Sequence, residues 1–509
     1  RNATKADWRA MYYTPRYYHC FADQKNSADY AYAFGVNEFV LCASAYQPWI
    51  DKYPGSTAGG KHYCLNRNNT YWEYSRPFWD YQARCSALMR KGVPVVDICV
   101  YLGQNPPVKL VTYRLPEIPE GYDFDVCTAE ALVGRTMAVD GRLTLPTGIS
   151  YSLLVIQRNN DMPLHVLRHI AGLVKGGVIV CGPRPDGSDS LKDKAESEEY
   201  RALVDELWGE LTTVSQIRKV GKGKIYENIP LSEVLKYENI RPDIAIKSGN
   251  TAKDKVYFVH RRLSDADVYF LNNHSDRAFH DTIRLRTDAR QAEYWDAVTG
   301  QRYMIPVKAS GEKGMLLNLT LAPRESGFIV TSNNQATGLL PRIADVQETI
   351  TPIEGSWNVY FDPRWGGPGK VVFDELIDWT VHADTGIRYY SGTVVYHKEL
   401  NLAMPAQNER LLLRFPRLGS LARVWVNGKE VVTVWCSPWE ADITSYVHEG
   451  KNNLKIEVVN SLMNRMIGDA SLPESERFTY AYPQIATPTD KLVPSGIMEQ
   501  LNLVYRQCQ

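Results

Sequence analysis

The hydrophobic pattern of this chain changes period part-way along, so no single repeated layer can account for it. Val95 to Tyr101 (VVDICVY), Leu153 to Ile156 (LLVI) and Val178 to Cys181 (VIVC) are short, almost wholly apolar runs. Runs of this kind read as strands covered on both faces, the parallel type. Between the last two, a helix is predicted from Pro163, a residue favoured at the first helical position. Its Leu167, Ile170, Ala171 and Val174 fall at i, i+3, i+4 and i+7 on one face, and Gly176-Gly177 ends it. Strand, helix, strand is a right-handed crossover, so an open parallel sheet is expected over 93–220.

Beyond about residue 221 apolar and polar residues alternate instead. Val256 to His260, Val268 to Asn272 and Leu316 to Leu321 read as strands of an antiparallel β domain over 221–345, with Thr331 to Asp345 an unpatterned loop. The last segment, 346–509, has strand signals at Thr393 to Leu400, Leu411 to Phe415 and Leu454 to Val459. Asn427-Gly428 between Val424-Trp-Val and Lys429-Glu-Val-Val predicts a type I′ hairpin, since both turn residues tolerate positive φ. This segment fits a β-sandwich or jelly roll.

The first ninety residues read as a helix from Pro15 to Phe34, a buried strand from Val36 to Cys42, a long loop, and a second helix from Tyr71 to Lys91. Gly35 and Gly92 stand where the two helices end. Such a unit cannot cover its own apolar faces, so partners outside the sequence are expected, with 1–92 the end of a larger α/β barrel. The fold class expected is therefore multidomain, α/β plus β. The chain opens Arg-Asn-Ala-Thr with no signal segment, which reads as an interior start.

Composition narrows the partners. Lys plus Arg equals Asp plus Glu at 58 each, so no net field draws nucleic acid or an anionic membrane. No apolar run approaches the roughly 20 residues of a bilayer span. Nine cysteines, dispersed and odd in number, argue against a disulfide framework and a zinc ribbon. A neutral partner is expected.

Three motifs are set aside. Gly55-Ser-Thr-Ala-Gly-Gly-Lys61-His62 has His where a phosphate-binding loop needs Ser or Thr to hold magnesium, and lacks the flanking strand and helix. His165 and His169 share a helix face, but Val166 stands where a zinc protease needs Glu, so they read as a surface pair. The predicted parallel sheet offers no Gly-x-Gly-x-x-Gly turn for a dinucleotide.

Aromatic residues carry more. Six of the twelve tryptophans, Trp357, Trp365, Trp379, Trp425, Trp435 and Trp439, lie in the final segment. Tryptophan suits sugar faces but also fills sandwich cores. Trp435-Cys-Ser-Pro-Trp439 is the better surface candidate, because Pro438 suggests a loop. A second cluster follows the strand ending at Cys42, and loops after strand C-termini form the active face of barrel enzymes. Here Tyr46, Gln47, Trp49, Asn66, Arg67 and Trp72 offer amides, a guanidinium and rings to a polyhydroxylated ligand. The same residues also fit an inter-domain packing loop.

Ordered blocks along nearly the whole chain then resemble glycoside hydrolase family 106, the α-L-rhamnosidases. They are Gly35-Val-Asn37-Glu-Phe-Val-Leu41, Tyr46-Gln-Pro-Trp49, Asn66-Arg67, Trp79-Asp-Tyr-Gln-Ala-Arg-Cys85, Gly121-Tyr-Asp-Phe-Asp125, Asp140-Gly-Arg-Leu143, Val259-His-Arg-Arg262 with Asp267, and Glu293-Tyr-Trp-Asp296. Tyr390-Ser-Gly-Thr-Val-Val-Tyr396, Val426-Asn-Gly-Lys429 and Asn464-Arg-Met-Ile-Gly-Asp469 resemble the sugar-binding jelly roll of family 2 glycosidases. The resemblance implies an exported bacterial enzyme, periplasmic or secreted. It implies a (β/α)8 catalytic barrel, a glutamine-amidotransferase-like α/β domain, a β-sandwich and a galactose-binding-like jelly roll. It further implies release of terminal α-L-rhamnose from pectin-type glycans with inversion, and calcium in substrate binding. Inversion calls for two carboxyl groups, and family members bring theirs from strands before the Gly-Val-Asn block. No Glu stands in Arg1-Asn-Ala-Thr4, and two histidines of the family pattern are replaced by Cys42 and Tyr46. Of the nearby carboxylates, Glu38, Asp51, Glu73 and Asp80, none has an evident catalytic partner. The expectation is a chain that lacks its own acid and base and depends on a missing N-terminal barrel portion. The alternative is a non-catalytic carbohydrate-binding or scaffold protein.

Overall fold

The computed structural model describes residues 9–13, 20–42, 45–57, 66–103, 115–157, 162–188, 190, 197–210, 213–249, 255–334, 338–342 and 347–507. The chain enters through a strand that shows no sequence alternation, β1 (Arg9–Tyr13). It pairs in parallel with β2 (Glu38–Cys42), Arg9 opposite Glu38 and Tyr13 opposite Cys42. The crossover between them is α1 (Phe21–Ala33). Its first turn is capped where the Cys20 backbone N–H donates to the Asp23 carboxylate at 2.8 Å. Its last turn is closed by Gly35 at φ +87, whose N–H reaches the Tyr32 carbonyl at 2.8 Å. The stretch 15–19, which the sequence assigned to this helix, lies outside the described residues.

Two expectations for this segment are corrected. The strand at Val36–Cys42 is not fully buried: Val40 is exposed, and among the described residues its sheet has two strands. The second helix is divided. A 3-10 turn spans Trp72–Tyr74, and α2 (Arg76–Met89) starts afresh after Ser75. Pro77, which lacks an N–H, fits only within a helix's first turn.

A larger correction concerns what covers these helices. The expected outside partners are supplied, at least in part, by the chain itself. Phe21, Tyr32, Phe78 and Tyr81 share one core with Val259, Val268, Phe270 and Phe328 of the following β domain and with Trp435, Met463 and Met466 of the last one. Phe21 stacks on Phe78 with centroids 4.8 Å apart, and Tyr32 meets Phe270 edge-on at 5.8 Å. The buried Lys25 ammonium pairs with Asp29 at 2.7 Å and also reaches the Ser326 hydroxyl at 2.8 Å, fixing α1 on that sheet.

The parallel sheet forms as its apolar runs predict. Its order is Gln216–Val220, Gly223–Glu227, Ile179–Cys181, Leu153–Ile156, Ile98–Tyr101, Phe124–Cys127. All neighbours are parallel except the first pair, a hairpin. The helix Leu164–Lys175 buries Leu167, Ile170, Ala171 and Val174 against it, with Pro163 as its N-cap residue rather than its first helical one. His165 is exposed, while His169 is half-buried with Nε2 2.9 Å from the Thr136 hydroxyl.

Next come two sheets of seven and four strands that share one core, Tyr269, Leu271, Tyr294 and Ile329 meeting Ile283, Leu285, Leu317 and Leu319. Val93–Pro94 already pairs with Arg261–Arg262 of the larger sheet, and Leu340–Pro341, inside the expected loop, joins its other edge. The last segment again has two antiparallel sheets, of six and four strands, around Trp357, Phe361, Trp379, Leu411, Leu413 and Leu503. The predicted hairpin is present, with Asn427 at φ +53 and Gly428 at φ +78. Among the described residues no helix is long and apolar enough to cross a membrane.

Candidate functional site

The loops after β2 and before α2 lie against the last domain. A short strand, β3 (Pro54–Ser56), pairs in parallel with Tyr480–Tyr482, Pro54 opposite Tyr480 and Ser56 opposite Tyr482. Thr57 extends the contact, its hydroxyl donating to the Pro483 carbonyl at 3.0 Å. The Thr70 hydroxyl does the same for the Asn460 carbonyl at 2.6 Å. Backbone pairing of this kind fixes a long loop without a large apolar core of its own.

Within that frame the six expected residues divide by role. The Gln47 amide works inside the loop. Its Nε2 donates to the Ser56 carbonyl at 2.8 Å and its Oε1 accepts from the Ser56 N–H at 2.9 Å. Gly55 leaves room for this contact, since a Cβ there would stand 2.5 Å from Oε1. Asn66 accepts the Asn68 N–H at 2.9 Å, and Asn68 in turn donates to the Lys52 carbonyl at 3.0 Å. Trp49 meets Tyr480 edge-on at 5.0 Å, with the Lys52 ammonium 4.1 Å from the Tyr480 ring centre. Arg67 reaches the Gln47 and Trp49 carbonyls at 3.4 Å each and is otherwise exposed. Tyr46 is 83% exposed and Trp72 40%. The structure therefore brings Gln47, Trp49, Asn66 and Arg67 into one loop cluster and leaves Tyr46, Arg67 and Trp72 facing outward.

Sequence reasoning did not single out Lys52, Asn68, Tyr480 or Tyr482. The alternating Tyr-Ala-Tyr before Pro483 was the available signal. One expected surface residue is corrected: Trp435 is 2% exposed, edge-on to Phe78 and Tyr81 at 5.8 Å each. It fills the seam between α2 and the last domain, where the flat indole excludes water from the aromatic side chains of α2. Trp439 is half-buried against the same domain's core.

The four nearby carboxylates do not form a facing pair in any contact the structure records. Glu38 lies 3.7 Å from Arg90 and Asp80 lies 3.7 Å from Arg76, while Asp51 and Glu73 are exposed. Among the described residues no group of three or more His, Cys, Asp or Glu side chains is placed to hold a metal ion.

A second polar centre lies where the parallel sheet meets the seven-stranded one. His260, fully buried, sits between Asp243 and Asp267, its Nδ1 and Nε2 3.0 Å from their carboxylates, and stacks on Tyr269 at 4.0 Å. Burial pulls the imidazole pKa down, but Asp243 and then Asp267 outweigh it and raise it. Burial likewise opposes ionisation of Asp267, but the bond and charge of His260 together with the bonds from Thr287 and Arg262 outweigh it, so this carboxyl is held below its usual range. Arg286 completes the network, 2.7 Å from Asp97 and 3.1 Å from Asp243.

A scaffold that clamps an amide- and aromatic-rich loop against its last domain defines a mixed α/β, largely sheet-built, multidomain protein. The chain belongs to the alpha-L-rhamnosidase family, glycoside hydrolase family 106, whose pattern matches residues 10–308. Residues 344–505 match the sugar binding domain of glycosyl hydrolases family 2. The structure superposes on the rhamnosidase of Novosphingobium sp. PP1Y with TM-score 0.87 and 28% identity, over 97% of this chain and 48% of that one. A Formosa agariphila protein described as "Putative beta-glucuronidase" is 22% identical over 89% of this chain and 57% of its own length. The chain thus spans about half the length of the relatives it matches.

Proposed function

We propose that the parent protein is an α-L-rhamnosidase-like glycoside hydrolase, exported, inverting, and acting on pectin-type glycans. This chain would supply one wall of its sugar pocket. In this reading β1, α1 and β2 are the closing edge of the (β/α)8 barrel, and the last domain is a jelly roll that braces the pocket loop. The observation that carries the proposal is the loop after β2, held rigid from both sides by the Gln47–Ser56 bonds and the pairing with Tyr480–Tyr482. Loops at strand C-termini are where barrel enzymes carry their sites.

Tyr46, Arg67 and Trp72 are the groups left to meet sugar. A ring stacks on an apolar sugar face, and a guanidinium donates to hydroxyls. Gln47, Asn66 and Trp49 act by positioning them. The acid and base would come from the barrel portion outside this chain, in keeping with Glu38 and Asp80 each lying beside an arginine. Calcium belongs to the same proposal, as an aid to substrate binding with no ligands assigned.

Titration calorimetry with L-rhamnose tests the wall. Binding that Arg67→Ala and Trp72→Ala each weaken by about tenfold is expected, since one lost charged hydrogen bond or stacked ring is worth about 1.4 kcal/mol or more. Unchanged binding in both variants would remove the loop from the site. Binding of other sugars with equal affinity would favour the non-catalytic carbohydrate-binding protein instead.

A further inference from the structure

The cleft beside His260 has a volume of about 1210 Å³ and is walled by both neighbouring domains. Two of the blocks picked out in the sequence reach it, one through Arg142 and the other through Arg262 and Asp267. The buried charges at its base form one network. Arg286 holds Asp97 and Asp243, His260 lies between Asp243 and Asp267, and Arg262 holds Asp267 at 2.9 Å. Three cations thus meet three carboxylates.

Arg142, Arg241 and Arg284 line the same wall outside this network, and the bonds of Arg142 all go to neutral oxygens. Its guanidinium donates to the Ser150 hydroxyl at 2.6 Å, the Ser150 carbonyl at 2.9 Å and the Ser152 hydroxyl at 2.7 Å. Among the described residues no carboxylate lies within 4.0 Å of it. Asp97, the nearest in effect, is already held twice by Arg286. Burial lowers the Arg142 pKa, Asp97 opposes this, and Arg286 and Arg262 push it down further. A half-buried guanidinium crowded by two others is short of negative charge. It has five N–H donors in a planar fork, of which three are engaged.

We infer that this cleft binds the carboxylate of an acidic saccharide, a hexuronate unit within a glycan, with Arg142 as its charge partner. The cleft is far larger than a lone anion needs and exceeds the usual range for a single small ligand. The exposed Asn333 in its lining suits sugar hydroxyls, and the exposed Lys313 at its edge adds to the positive charge of Arg142, Arg241 and Arg284. Asp265, Asp288 and Glu312, exposed in the same lining, select against a ligand of dense negative charge. The site is separate from the rhamnose wall. Only the choice of a saccharide as carrier of the carboxylate rests on the proposed function.

The test is calorimetry on the purified protein with three probes: a hexuronate trisaccharide, the same trisaccharide after carboxyl reduction, and acetate. The acid trisaccharide should bind at least about tenfold tighter than the reduced one, and more weakly at high salt. Arg142→Gln should abolish that preference. Lys313→Glu, at an exposed position that leaves folding untouched, should weaken the acid form by about three- to tenfold. Equal binding of both trisaccharides, binding of neither, or a preference kept in Arg142→Gln overturns the inference. Acetate binding as tightly as the trisaccharide overturns its saccharide part. Rhamnose titrated into Arg142→Gln reports on the other site, so failure here and failure of the rhamnose wall are told apart.

Discussion

Replacing Asp243 by Asn isolates what the buried charge network contributes. The carboxylate is 1% exposed and serves two cations at once, His260 at 3.0 Å and Arg286 at 3.1 Å. The amide is isosteric but uncharged, so the substitution creates no cavity. Removing one partner from a buried ion network costs about 3–5 kcal/mol, because the remaining charges lose their compensation. His260 adds a pH signature. Its pKa is raised in the folded protein, so its contribution is fully present below the unfolded value of about 6.5 and is lost as pH rises through the folded pKa. Asp267, held below its usual range, contributes above about pH 4 and loses that contribution as pH falls further. The wild-type network is therefore strongest between those limits, and Asp243→Asn should flatten its alkaline side. Hydrogen exchange with mass spectrometry on the strand pair 256–273 is the suitable assay. At pH 6 the variant should exchange about 10²–10⁴ times faster there, as 3–5 kcal/mol implies. Exchange within threefold of wild type, or a difference that does not shrink toward pH 8, would refute the reasoning.

Trp435→Ala should cost about 3–5 kcal/mol, as expected of a fully buried indole. It should also speed exchange in α2 as well as in the last domain, and an effect confined to 346–507 would deny the seam its role. Gln47→Leu removes both bonds to Ser56. At about 1 kcal/mol each, limited proteolysis within 45–57 should quicken by roughly tenfold or more, while the thermal transition of the remainder stays put.

The parts of this fold that were legible in the sequence are those where one local rule decides. Uniformly apolar runs such as Leu153–Ile156 can only be central strands, and Asn427-Gly428 can only be a tight hairpin turn. What escaped depended on distant contacts. Nothing near Phe21 or Tyr81 reveals that Phe270 and Trp435 will cover them, so the first segment seemed to lack partners that other parts of the same chain provide. Trp435 looked like a surface residue because Pro438 marks a turn, and the turn is there, but α2 lies over it. The loop cluster was legible as a group. The division of labour within it was not, since an amide free for sugar and an amide spent on Ser56 have the same sequence. The charge network could have been suspected from His260 in the strand Val256–Arg262, where a buried polar side chain needs partners.

The account depends most on the idea that this chain shapes a rhamnose pocket but does not carry the acid and base that cleave the bond. Hydrolysis of an aryl α-L-rhamnoside by purified residues 1–509, shown to be folded by a cooperative thermal transition, measures this directly. The account predicts no release of the aryl group above background, alongside rhamnose binding that Arg67→Ala weakens. Sustained turnover abolished by a single substitution at Glu38, Asp51, Glu73 or Asp80 would contradict it.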